Sequence, residues 1–169
     1  MIGRTGGGTG VAVTQAAGPD GQDRQPCSGG GMHSFHLESI TAGEDCVVLR
    51  IDGDIDAYAA PQLRDQVTDL ARNGTVHIIA DLRGAGFIDS AGLGALVGSR
   101  KELRARGGSL TLVASSGRIL QTLRIAGLSD AFGLHSRVPD AIIADRHWQA
   151  AVSGEGDSAG EWCRKHGLL

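Results

Sequence analysis

The chain has 169 residues, with 16 Lys and Arg against 19 Asp and Glu, a formal net charge of −3 and only 4% aromatic residues. That length fits one domain, and the net charge gives no electrostatic case for nucleic acid; the basic cluster from Arg100 to Arg106 reads as a solvated helix end. No apolar run reaches the roughly 18 residues that a membrane-spanning helix requires, so no membrane segment is expected. Val11-Ala12-Val13 gives way at once to Thr14-Gln15, which leaves no signal-peptide core. Cys27, Cys46 and Cys163 make an odd count without metal-type spacing, and point to a reducing cytosol. Cys46 opens an apolar run and reads as core, whereas the other two lie in tail-like sequence.

Residues 1–32 are dominated by Gly, including Gly6-Gly7-Gly8 and Gly29-Gly30-Gly31, and cannot bury enough apolar surface to offset backbone entropy, so a disordered tail is expected. Met32 stands where the composition changes and marks a candidate start of translation. The compact region is expected over 33–152. Phe35 to Ile40 alternates as a first strand, and Val47-Val48-Leu49-Arg50-Ile51 forms a second that runs into Asp52-Gly53-Asp54. Pro61 suits a helix start, Leu63, Val67, Leu70 and Ala71 recur at helical spacing, and Asn73-Gly74 closes that helix.

Val76 to Leu82 reads as a central strand covered on both faces. A short Gly-rich loop, Arg83 to Gly86, follows it, and a second helix opens near Ser90 with Leu93, Leu96, Val97 and Leu103 facing inward. Gly107-Gly108 ends that helix, and Ser109 to Val113 is the next strand. A third helix capped by Ser116 stops at Gly127. Phe132 to His135 suggests a short edge strand and Pro139 to Val152 a last helix, on which Trp148 packs against the sheet. Residues 153–169, with Ser153-Gly154-Glu155-Gly156-Asp157-Ser158-Ala159-Gly160, read as a flexible C-terminal tail. The predicted class is α/β, a mixed sheet with helices packed against it in the order ββαβαβαβα.

Chemistry concentrates at Phe87-Ile88-Asp89-Ser90-Ala91-Gly92-Leu93-Gly94. Asp89 and Ser90 are both favoured helix caps, and capping alone accounts for these residue types. A helix N-terminus also favours an added anion, so a phosphate on Ser90 is compatible with the local structure. Gly92, Gly94 and Gly98 each cost the helix about 1 kcal/mol relative to Ala. Ser90, Gly94 and Gly98 fall at i, i+4 and i+8 on one stripe, which suits a surface that another protein approaches closely.

A serine hydrolase would need Gly-x-Ser-x-Gly, and Ile88 stands at the first of those positions; His135 with Asp130 is a poor candidate base, on an edge element. The histidines are scattered, with His33 and His36 near a tail boundary, and Thr5-Gly6-Gly7-Gly8-Thr9-Gly10 lacks the Lys-Ser/Thr ending of a phosphate loop. Neither metal nor cofactor is expected. Asp54 and Asp56, taken by residue type, read as turn-formers.

Three segments together resemble the anti-sigma factor antagonists of the STAS family. Gly53-Asp54-Ile55-Asp56 is similar to their Gly-Glu-Leu/Ile-Asp segment, Phe87 to Gly94 to their central motif, and Ala126-Gly127-Leu128 to the Ser/Ala-Gly-Leu after the third helix. Asp54 replaces the commoner Glu, Ala91 replaces the usual second hydroxyl, and Ala59-Ala60 lacks the Thr often found before the first helix. The resemblance covers about residues 35–150. It implies a non-enzymatic bacterial regulator acting by partner switching in the cytoplasm. Unphosphorylated, it would bind an anti-sigma factor with serine-kinase activity and release a sigma factor. Phosphorylation of Ser90 would end the interaction, and a serine phosphatase would restore it. The implied partner surface comprises Asp54, Asp56, Asp89, Ala91, Gly92, Gly94 and Gly98. A STAS domain used as an adaptor in a signalling or lipid-transport assembly is the alternative.

Overall fold

Two β-branched runs separated by the turn Gly43-Glu44-Asp45 fold into an antiparallel hairpin, β1 (His36–Ala42) and β2 (Cys46–Ile55). The structure is a computed structural model and describes residues 34–169. β3 (His77–Ile88) runs parallel to β2, β4 (Ser109–Val113) parallel to β3, and β5 (Gly133–His135) parallel to β4, giving one sheet in the order β1-β2-β3-β4-β5. Each parallel step requires a crossover, supplied in turn by α1 (Ala59–Arg72), α2 (Ser90–Ala105) and α3 (Gly117–Ile125). Beyond β5 the chain continues through α4 (Val138–Ala144), α5 (Arg146–Gly154) and α6 (Ala159–Lys165).

Successive strand residues point to opposite faces, and both faces are covered. Leu49, Ile51, Ile78, Ala80, Leu82, Leu110 and Leu112 pack with Leu63 and Val67 of α1, Leu96 and Leu103 of α2, and Ile119 and Leu123 of α3. Cys46, Val48, Ile79 and Val113 face the other way, against Val138 and Ile142 of α4, Trp148 and Val152 of α5, and Trp162 and Cys163 of α6. This double cover is why the strands read as continuous apolar runs.

Four expectations need correction, the first being Val97, which is exposed and does not face inward on α2. The segment Arg83 to Gly86 is not a loop: β3 continues to Ile88 and pairs with β2 through two register shifts, Arg50 and Asp52 meeting Asp81 and Gly84, then Gly53 and Asp54 meeting Ala85 and Phe87. Its glycines admit close neighbours within the ladder, since a Cβ on Gly84 would lie 1.6 Å from Asp52 Oδ1. The last helix is broken at Asp145, whose extended backbone ends α4 and whose carboxylate accepts the His147 N–H at 2.8 Å to open α5. Residues 153–169 do not form a flexible tail.

Instead, Ser158 and Glu161 form a reciprocal capping box at the start of α6, which turns Trp162, Cys163 and then Leu168 into the second core. The Trp162 indole N–H donates to Glu155 Oε2 at 2.8 Å. Arg83 donates twice to the buried Asp81 carboxylate, at 2.8 Å each, and once to the Leu168 carbonyl at 2.7 Å. The Asp81 hydrogen bonds raise the Arg83 pKa, so this guanidinium stays charged and ties the chain end to the central strand. The order is therefore ββαβαβαβααα. Residues 1–33, including Cys27 and Met32, lie outside the described part.

The packing of α6 predicts a large penalty for its removal. Trp162→Ala is expected to cost about 3–5 kcal/mol through lost burial and the cavity left behind. Ending the chain after Val152 should lower the melting temperature as well. Thermal unfolding followed by circular dichroism checks both, and an unchanged melting point in either variant would mean that the C-terminal layer is not part of the fold.

Candidate functional site

β2 and β3 end side by side, and each delivers the chain directly into a helix. After β2, the Asp56 carboxylate accepts the backbone N–H groups of Tyr58 and Ala59 at 3.0 and 2.9 Å, and so supplies the cap that Ala59-Ala60 cannot. After β3, Asp89 is the N-cap of α2: its Oδ1 accepts the Gly92 N–H at 2.9 Å. The Asp89 N–H donates in turn to the Ile55 carbonyl at 3.2 Å, which ties the start of α2 to the end of β2. Ser90 is the first helical residue, exposed to solvent. Its hydroxyl is the only one in the segment Phe87 to Gly94.

The glycines of α2 have three different surroundings. Gly92 is buried, and a Cβ there would sit 2.4 Å from the Ile55 carbonyl oxygen. Close packing within the chain therefore explains Gly92, which faces inward and is withdrawn from the surface. Gly98 is half-buried beneath the Arg64 guanidinium of α1, 3.4 Å from where its Cβ would be. Its small size accommodates α1, so the stripe expected along Ser90, Gly94 and Gly98 is covered at its far end. Of the three, Gly94 alone is exposed, and a Cβ added there would meet nothing within 4 Å.

Ala91, Gly94 and Ala95 form one wall of an open groove, and Ala57, Pro61 and Arg64 of the α1 side form the other. Asp54 lies half-buried at the end of β2, opposite Phe87, and its Oδ1 would be 3.1 Å from a Cβ on Gly86. Two exposed aromatic rings flank this end of the sheet, Tyr58 at 81% and Phe87 at 43% exposure. Sequence reasoning passes over Tyr58. The signal lies in its position, directly before the helix-forming run and outside the apolar period. Asp54, Asp56, Asp89, Ser90, Ala91 and Gly94 thus gather at the carboxyl end of the parallel strands, while Gly92 lies beneath them and Gly98 lies two turns away under α1.

Among the described residues, no hydrogen bond from a general base to Ser90 is present at this strand-to-helix junction. The sequence matches the STAS domain over residues 39–141. It is 35% identical over 98 residues to the anti-sigma-B factor antagonist of Bacillus subtilis, covering 58% of this chain and 89% of that protein. It is 36% identical over 98 residues to the anti-sigma F factor antagonist of Lysinibacillus sphaericus, covering 57% and 81%.

Among solved structures, the fold is shared with an anti-sigma factor antagonist from Mycobacterium paratuberculosis, with a TM-score of 0.62 at 23% identity over 69% of this chain and 97% of that one. It is also similar to the anti-sigma factor antagonist SpoIIAA in its unphosphorylated form, with a TM-score of 0.53 at 27% identity over 61% and 89%. The chain belongs to the STAS-domain family of anti-sigma factor antagonists. Residues 142–169, with α5 and α6, lie beyond the matched region.

The contrast between Gly92 and Gly94 is testable by unfolding. Gly92→Ala forces a methyl against the Ile55 carbonyl and should destabilise by about 1–3 kcal/mol, as overpacking does. Gly94→Ala meets open space and should gain up to about 1 kcal/mol from helix propensity. Chemical denaturation of both variants measures the two signs; equal effects would show that Gly92 is not held by the strand end.

Proposed function

We propose that this protein binds an anti-sigma factor with serine-kinase activity when Ser90 is unmodified, that this binding releases a sigma factor, and that phosphorylation of Ser90 ends it. The observation that carries the reading is the placement of Ser90: exposed, at the first position of α2, with the capping role already taken by Asp89. The names of the relatives support the choice of partner. The surface around Ser90 supports protein contact, because Gly94, Ala91, Tyr58 and Phe87 allow close approach and offer apolar area.

In the transfer, Ser90 Oγ forms a bond to the γ-phosphorus of ATP held by the partner. The bond to the β–γ bridging oxygen breaks, ADP leaves, and the hydroxyl proton passes to a base of the partner. The protein itself is substrate and ligand, not catalyst, and acts in the cytoplasm. A serine phosphatase hydrolyses the phosphoserine and restores the binding state.

Phosphate adds about −1.5 to −2 charges at neutral pH, at the positive end of the α2 dipole, so the helix is held and not melted. Beside the Asp89 carboxylate it makes this patch strongly acidic where a partner must desolvate it, and binding fails by repulsion and poor fit. Incubation with ATP and the cognate kinase, followed by mass spectrometry, should place one phosphate on Ser90. Ser90→Ala should remove it and keep partner binding. The phosphorylated protein should show an unchanged circular dichroism spectrum and at least a tenfold loss of affinity, about 1.4 kcal/mol. Full labelling of Ser90→Ala, or retained affinity after modification, overturns the proposal.

A further inference from the structure

At the opposite end of the sheet, where the parallel strands begin, a second set of donors converges. Asp45 and Cys46 lead into β2, and His147 lies in the first turn of α5, 102 residues from Asp45. His147 Nε2 is 3.0 and 2.9 Å from the two Asp45 carboxylate oxygens, and Cys46 Sγ is 3.6 Å from Asp45 Oδ1. Ligand atoms of the three residues all lie within 4.8 Å of one another. The His77 ring stacks on His147 with centroids 3.9 Å apart, and its Nδ1 is 3.0 Å from Ser109 Oγ, so the back of the cluster is closed by strand residues.

An ion pair between Asp45 and His147 would need no thiol, and a core cysteine would need no polar company. One imidazole nitrogen, one sulfur and one carboxylate at a common point form the donor set that zinc takes, with bonds of about 2.0–2.3 Å. Tetrahedral bonds of that length put donors about 3.3–3.7 Å apart; the two Asp45 contacts, at 2.9 and 3.6 Å, lie about that spacing, and all three donors lie within 4.8 Å. We propose that Asp45, Cys46 and His147 form a binding site for a divalent cation of the zinc class, with the fourth position open to water. The scattered histidines and unpaired cysteines of the sequence hide this arrangement, because only the fold of α5 brings His147 to the hairpin.

Access is from solvent, since the Asp45 and His147 side chains are 37% and 44% exposed while Cys46 forms the buried floor. Burial, aided by the Asp45 charge, pushes the Cys46 thiol up to about 12, so without a cation it keeps its proton. On binding, that proton is released to solvent, and His147 also gives up the Nε2 proton that faces Asp45, so that it coordinates through Nε2 with its one N–H on Nδ1. The cation would replace a hydrogen-bonded contact with coordination bonds that fasten the C-terminal layer to the β1–β2 hairpin.

The test uses the full chain carrying Cys27→Ser, which removes a competing thiol outside the described residues. Zinc competition against a chromophoric chelator should show one site per chain, and cobalt should develop thiolate charge-transfer absorption. Zinc should also raise the melting temperature. Cys46→Ser should abolish the cobalt band, and His147→Gln and Asp45→Asn should each weaken zinc binding at least tenfold with unchanged circular dichroism. If Cys46→Ser fails to fold, the exposed His147→Gln decides. Absence of stoichiometric zinc binding, a cobalt band that persists in Cys46→Ser, or unaltered affinity in His147→Gln would each overturn the proposal.

Discussion

The Ile55 carbonyl is the point on which the site depends. It is the last acceptor of β2, and it takes the Asp89 N–H across the strand ends. Gly92, one turn into α2, must then pass so close that no side chain fits between helix and carbonyl. These two contacts set both the position and the direction of α2 relative to the sheet. With Asp89 fixed by its own N–H and by its carboxylate bond to the Gly92 N–H, Ser90 has one available place, on the surface. The Ser90 hydroxyl is thus located by backbone groups of neighbouring strands and not by its own interactions.

One strand links the two ends of the sheet. β2 runs from Cys46 to Ile55, about 30 Å at the usual rise of a strand. Its first residues meet α5 through Asp45 and Cys46, and its last residues support α1 and α2. The two apolar cores follow the same division by face: α1 to α3 on one side, and α4 to α6 on the other. The second face carries the heavier aromatic load, with Trp148 and Trp162 both fully buried. Because Val48 and Ile79 alternate with Leu49 and Ile78 along adjacent strands, neither layer can be removed without exposing apolar strand residues to water.

Much of this is legible in residue patterns, and the failures have physical causes. Helical periodicity places α1 and α2, and the run Val76 to Leu82 places the central strand. Reading Gly84 and Gly86 as a loop fails because glycine permits both a turn and a bulged ladder, and only the pairing with Asp52 and Asp54 distinguishes them. The C-terminal segment misleads because its composition hides a local signal. Ser158 and Glu161 stand three residues apart before Trp162, the spacing of a capping box, within a stretch whose glycines suggest disorder. The long-range convergence of His147 on Asp45 has no local signal at all.

The pair Asp89-Ser90 admits two readings from sequence, a cap or an acceptor for phosphate, and the structure gives the cap to Asp89. Asp89 has the extended backbone of an N-cap and accepts the Gly92 N–H, while Ser90 has already entered the helix. Had Ser90 been the cap, its oxygen would have been engaged in that bond, and modifying it would have removed support from α2. With Asp89 in that role, the charge on Ser90 can change without withdrawing a hydrogen bond that the fold requires. Ala91 sharpens the division, since no second hydroxyl competes in the first turn. A modification of Ser90 would therefore change what the surface presents and leave the scaffold beneath it alone.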